Sequence, residues 1–94
     1  MQIRSIRHRG LKRFLERNEA KGLPADRVEK IRDILTALML VDTLHDLPRL
    51  PGWRLHKLTG GRKGEWSLWV TGNWRMTFRV ENDEIHDLNL EDYH

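Results

Sequence analysis

The sequence contains no cysteine, which excludes a disulfide framework, a thiolate nucleophile and any cysteine-ligated metal. A reducing compartment suits such a chain. It also lacks an apolar run anywhere near the ~20 residues that a membrane-spanning helix needs. The opening Met1-Gln2-Ile3-Arg4-Ser5-Ile6-Arg7 is charged, with no apolar stretch behind it. No signal peptide is therefore expected, the expected location is cytoplasmic, and no membrane partner is expected. There are no internal repeats, linkers or low-complexity segments. With 94 residues, the chain has room for a single domain, residues 1–94, and one modest core.

Charge is present in quantity but nearly balanced, 17 Lys+Arg against 14 Asp+Glu, for a net +3. Its distribution says more than its sum. Arg4, Arg7, Arg9, Lys12, Arg13, Arg17 and Lys21 crowd the first quarter, and Arg49, Arg54, Lys57, Arg62 and Lys63 form a second basic group. The acids Glu81, Asp83, Glu84, Asp87, Glu91 and Asp92 gather towards the other end. Clustered cations can neutralise phosphates and release their counterions, which gives salt-dependent binding to nucleic acid. The same clusters also suit an ordinary solvated face.

Periodicity organises the chain. Gln2 to Ile6 reads as a short first strand. Leu11, Phe14 and Leu15 fall at the i, i+3, i+4 spacing of one helical face within residues 10–17. Gly22 and Pro24 interrupt, and Pro24 suits the first turn of a second helix. That helix is predicted over residues 24–41, its apolar stripe formed by Val28, Ile31, Ile34, Leu35 and Leu38. Pro48, Pro51 and Gly52 mark a loop. The period then switches to two, in strands beginning at Trp53, Trp66, Trp74 and Ile85. Asn82-Asp83 separates the last pair as a two-residue hairpin turn would. The order β-α-α-β-β-β-β predicts an α+β fold with two helices packed on one face of a mainly antiparallel sheet. Trp66 and Trp74 fall on apolar strand faces and are expected in the core. Trp69 faces the other way, either exposed or under a helix.

Several chemistries are absent. The histidines His8, His45, His56, His86 and His94 show no metal-ligand spacing, so no structural zinc site is expected. Gly60-Gly61-Arg62-Lys63-Gly64 lacks the spacing of a phosphate-binding loop, and no serine sits in a nucleophile elbow. No cofactor is expected. What remains is Asp92-Tyr93-His94, an acid, a phenol and an imidazole on consecutive residues. Two readings stand for this segment: a disordered polar tail, or a group aimed at one substrate, with Asp92 and His94 on one side of a strand and Tyr93 on the other.

Six segments stand out: Gly10-Leu11, Gly22-Leu23-Pro24-Ala25, Leu55-His56-Lys57-Leu58, Gly64-Glu65-Trp66-Ser67, Asn73-Trp74-Arg75-Met76-Thr77-Phe78 and Glu91-Asp92-Tyr93-His94. In these residues, in their order and spacing, the chain resembles the HigB toxins of the RelE/ParE superfamily. Single pieces are common, but the set from residue 10 to residue 94 is specific. The resemblance implies a RelE-like, microbial-RNase-like fold and the toxin of a type II toxin-antitoxin system. It further implies a ribosome-dependent endoribonuclease that inhibits translation by cutting mRNA in the ribosomal A site, beside 16S ribosomal RNA. His56, Asp92, Tyr93 and His94 match the family's catalytic group, Arg75 matches a cation facing the scissile phosphate, and Asn73 matches a residue that helps read the codon. The family's lysine three positions after the histidine is replaced by Thr59. Lys57, Arg62 and Lys63 are the candidates for its task of holding substrate.

The chemistry is consistent with that set. RNA cleavage without a metal needs a base for the 2′-hydroxyl, cations for the phosphoryl oxygens and an acid for the leaving oxygen. The expected roles are His94 or Asp92 as base or orienting group, His56 as acid, Arg75 as transition-state cation, and Tyr93 stacking on a base or orienting the phosphate. A terminal carboxylate on His94 would favour its protonated form and suit an acid equally well, so the direction of proton transfer stays open. For His56 the competing reading is a buried structural histidine beneath the sheet. The expected partner is a HigA-like helix-turn-helix antitoxin, with operator DNA contacted only through it, two copies of each protein in the complex, and the free toxin monomeric. Arg9, Lys12, Arg13 and Arg17 could meet ribosomal RNA or an acidic antitoxin. Two other functions compete: a ParE-like inhibitor of DNA gyrase without a nuclease site, and a plain nucleic-acid-binding module.

Overall fold

The computed structural model describes residues 1–92. Strand β1 (Gln2–Ile3) leads into helix α1 (Arg9–Arg17). A turn of 3-10 helix (Ala25–Arg27) then opens helix α2 (Val28–Leu40). Strands β2 (His56–Lys57), β3 (Glu65–Thr71), β4 (Trp74–Glu81) and β5 (Glu84–Asp92) complete the chain. This is the expected β-α-α-β-β-β-β order. The sheet runs β1-β5-β4-β3-β2, antiparallel throughout except that β1 lies parallel to β5. The α+β architecture is as expected from the sequence, with the parallel edge strand as an addition that alternation does not reveal.

Local chemistry accounts for the elements. His8 caps α1, its Nδ1 accepting the Leu11 amide at 3.2 Å. Burial foremost, and then the charge of Arg13, lowers the pKa of His8, which favours the neutral ring that can accept this bond. Gly10 belongs here for a steric reason, since a Cβ on it would lie 2.8 Å from the His8 ring and 3.1 Å from the Gly22 carbonyl oxygen. Helix α2 buries Ile31, Ile34, Leu35 and Leu38. These meet Leu11 and Phe14 of α1 and Leu68, Val70, Met76, Phe78, Ile85, Leu88 and Leu90 of the sheet in one apolar cluster. Asn82 and Asp83 both have positive φ, 52° and 58°, which is the backbone of the two-residue turn expected there.

The structure differs from the sequence reading at several points. The region from Trp53 to Leu58 is a strand only at His56–Lys57, because Arg54 takes φ 45° and breaks the extended run. Of the four tryptophans, Trp53 is the buried one. Trp66 and Trp74 are half-buried and pack at the rim of the core rather than within it. Finally, β5 runs on through Asp92, so Glu91 and Asp92 lie in a paired strand and not in a disordered tail. Among the described residues, no helix is long and apolar enough to cross a membrane.

Candidate active site

The register of the sheet builds the site. His56 pairs with Ser67, and Ser67 with Thr77, which places these three on one face. In the next row Trp69 pairs with Arg75, and Arg75 with Glu91. This face is opposite to the one carrying Leu68 and Met76 into the core. His56 and Arg75 are thus brought together from separate strands. His56 is exposed, which overturns the buried structural alternative, and its Nδ1 lies 3.3 Å from the Arg54 carbonyl oxygen.

Two hollows adjoin this pair. One, of about 170 Å³, is lined by Arg54, His56, Ser67, Trp69, Trp74 and Arg75. The other, of about 280 Å³, is lined by His56, Lys57, Thr59, Arg62 and Arg75 among others. His56 and Arg75 border both. The exposed Asp92 pairs with Trp74 at the end of β5. Asn73 is exposed in the turn leading to β4. Tyr93 and His94 lie outside the described residues.

The three cations proposed to replace the missing lysine are placed differently from one another. Lys57 borders the second hollow, but it pairs with Trp66 on β3 and its Nζ lies 5.9 Å from the centre of that ring. Lys63 is exposed and lines neither hollow. Arg62 is held on two sides, donating to both carboxylate oxygens of Glu65 (2.7 and 3.0 Å) and both of Glu91 (2.5 and 2.7 Å). The Thr77 hydroxyl also donates to Glu91. Sequence reading missed this knot, because Glu65, Thr77 and Glu91 are far apart in the chain and meet only through strand register.

The knot has a thermodynamic signature. Hydrogen bonds from Arg62, then from Thr77, outweigh burial and hold the Glu91 carboxyl down at about 2. Glu65 is lowered for the same first reason, while Arg62 is raised. A carboxyl whose folded pKa is depressed stabilises the fold fully above its unfolded value near 4.5 and loses that contribution as pH falls towards 2. Urea midpoints measured from pH 7 to pH 2.5 should therefore fall less steeply for Glu91→Gln than for the wild type below about pH 4.5. At pH 7 the variant should be less stable by about 1 kcal/mol. Parallel curves would show that the knot does not contribute.

Comparison with known proteins bears on this arrangement. The family model described as the RelE-like toxin of the type II toxin-antitoxin system HigB matches residues 4–94. Endoribonuclease HigB of Proteus vulgaris is 41% identical over 92 residues, spanning 98% of this chain and 99% of that protein. Crystal structures of YafQ from E. coli and of a point mutant of it superpose with TM-scores of 0.62 and 0.61, at 15% and 16% identity, each covering 97% of this chain and 93% of theirs. At such identity the YafQ likeness concerns the fold.

Proposed function

Since the chain belongs to the HigB-like family, the RelE-like toxins of type II toxin-antitoxin systems, we propose that it is an endoribonuclease that cuts mRNA in the ribosomal A site, in the cytoplasm, by metal-free general acid and base catalysis. The observation that carries this reading is the meeting of an exposed imidazole, His56, with the Arg75 guanidinium where two hollows adjoin. A phosphodiester bound across the pair would set its non-bridging oxygens against Arg75 and its leaving oxygen against His56.

Such a site separates the two demands of RNA cleavage. Charge that develops on the phosphoryl oxygens needs a fixed cation, and a guanidinium supplies one without proton transfer. The leaving 5′-oxygen needs a proton, and an imidazole titrates nearer neutrality than other side chains. Asp92, Tyr93 and His94 would supply the remaining group, a base or an orienting contact for the 2′-hydroxyl. Asn73 would read the bound codon, and Lys57 and Lys63 would hold flanking phosphates. Arg62, engaged by Glu65 and Glu91, would steady the floor of the site.

A type II toxin implies an antitoxin. In this reading the antitoxin is a HigA-like helix-turn-helix protein that alone contacts the operator, and 16S ribosomal RNA forms the surface on which the toxin docks. Primer extension on a reporter message after brief induction tests the activity. Wild type should produce new ends within codons of translated message. His56→Ala and His94→Ala should lose them at least about 100-fold. Arrested growth with intact message would overturn the nuclease reading, and equal cutting of naked RNA would remove the ribosome from it.

A further inference from the structure

The hollow of about 170 Å³ holds a second guanidinium besides Arg75, that of Arg54. Arg54 takes φ 45°, a backbone conformation that glycine adopts far more easily than arginine. Its Cζ lies 4.6 Å from the centre of the Trp69 ring. Trp69 is itself held in place, its Nε1 donating to the Gly72 carbonyl oxygen at 3.3 Å and its amide to the Trp53 carbonyl oxygen at 2.7 Å. Lys30 lies over the same ring at 4.3 Å, tied to the Gly52 carbonyl oxygen at 2.8 Å. Among the described residues Arg54 forms no ion pair.

We propose that Arg54, seated on Trp69, is a substrate-holding residue that takes an RNA phosphate next to the scissile one, in the hollow it shares with His56 and Arg75. This rests on the nuclease reading and deepens it. A cation pinned on an aromatic face loses little further freedom when it meets an anion, and a guanidinium can offer a phosphate two parallel donors. The surroundings call for an anion. Lys30 and Arg54 crowd one ring, and the pKa of Lys30 is lowered by burial first, then by Arg27 and Arg54. Arg75 lines the same hollow. A bound phosphate would relieve the repulsion between Arg54 and Lys30. The arrangement also answers the substitution at Thr59. Arg62 is saturated by carboxylates, and Lys57 borders only the other hollow, whereas Arg54 lines the hollow of about 170 Å³ together with His56 and Arg75. Trp69 is then a positioning residue, acting through Arg54.

The test uses Arg54→Gly, since glycine relaxes the positive φ while removing the guanidinium. The fold should melt no lower than wild type. Cleavage of message on programmed ribosomes should show KM raised about tenfold or more with kcat changed less. The decline of kcat/KM with added salt should also be shallower, by about 0.7 in the log–log slope for one lost phosphate contact. Trp69→Leu should raise KM in the same sense, and Trp69→Phe, which keeps a π face for the cation, should restore most of it. If the wild type cuts message and Arg54→Gly cuts with the same KM and salt slope, the assignment is wrong while the nuclease reading stands. If the wild type cuts none, both fall. A drop in kcat alone would also overturn it, because a holding contact is made before the chemistry.

Discussion

Arg75→Ala is expected to slow single-turnover cleavage on programmed ribosomes by about 100- to 1,000-fold, the usual effect of removing one preorganised group that meets transition-state charge. The expectation comes from its position. Arg75 lies between Trp69 on β3 and Glu91 on β5 and borders both hollows, so in the proposed reading its guanidinium would approach the substrate from a sheet strand rather than a loop. Its Nε is buried, and a partly desolvated guanidinium would act more strongly on a phosphoryl oxygen than one fully in water. Arg75→Lys should recover only part of the rate, because an ammonium is a point charge without the planar fork. The fall should appear in the chemical step, with affinity for ribosomes changed much less. A rate within fivefold of wild type for Arg75→Ala would remove this residue from the transition state.

Phe78→Ala should bring the largest loss of stability. Phe78 is fully buried at 0% exposure and belongs to the apolar cluster between sheet and helices. Replacing a core phenylalanine by alanine costs about 3–5 kcal/mol, from lost transfer energy and the residual cavity. A small domain has only about 5–15 kcal/mol in total. The melting temperature should therefore drop by more than about 12 °C, measured by circular dichroism in parallel with Met39→Ala as a surface control. Met39 is 45% exposed on α2, and its variant should lie within about 0.5 kcal/mol of wild type. A small shift for Phe78→Ala would show that the cluster collapses around the cavity. The contrast with Arg75→Ala matters for function: one variant should melt early, whereas the other should fold normally and fail at the chemical step.

The division between what was legible in the sequence and what was not follows from the range of each signal. Helical and strand periods are local. The stripe from Ile31 to Leu38, the alternation through Trp74-Arg75-Met76-Thr77-Phe78 and the Asn82-Asp83 turn therefore announce α2, β4 and the β4–β5 hairpin. The spaced segments around His56, Arg75 and Asp92 were enough to indicate the HigB-like family. Tertiary structure alone decided which side chains of different strands meet on one face. One residue of register moves a side chain to the opposite surface, and that choice set Ser67 beside His56, aimed Lys57 at Trp66, and joined Arg62 to Glu65 and Glu91. The parallel pairing of β1 with β5 was likewise invisible, since it depends on where two helices carry the chain. Composition presented Arg54, Lys57, Arg62 and Lys63 as equivalent cations. The fold makes them unequal, because Arg62 is tied by carboxylates, Lys57 lies near Trp66 at the second hollow, Lys63 lines neither hollow, and Arg54 is held on a tryptophan at the edge of the site.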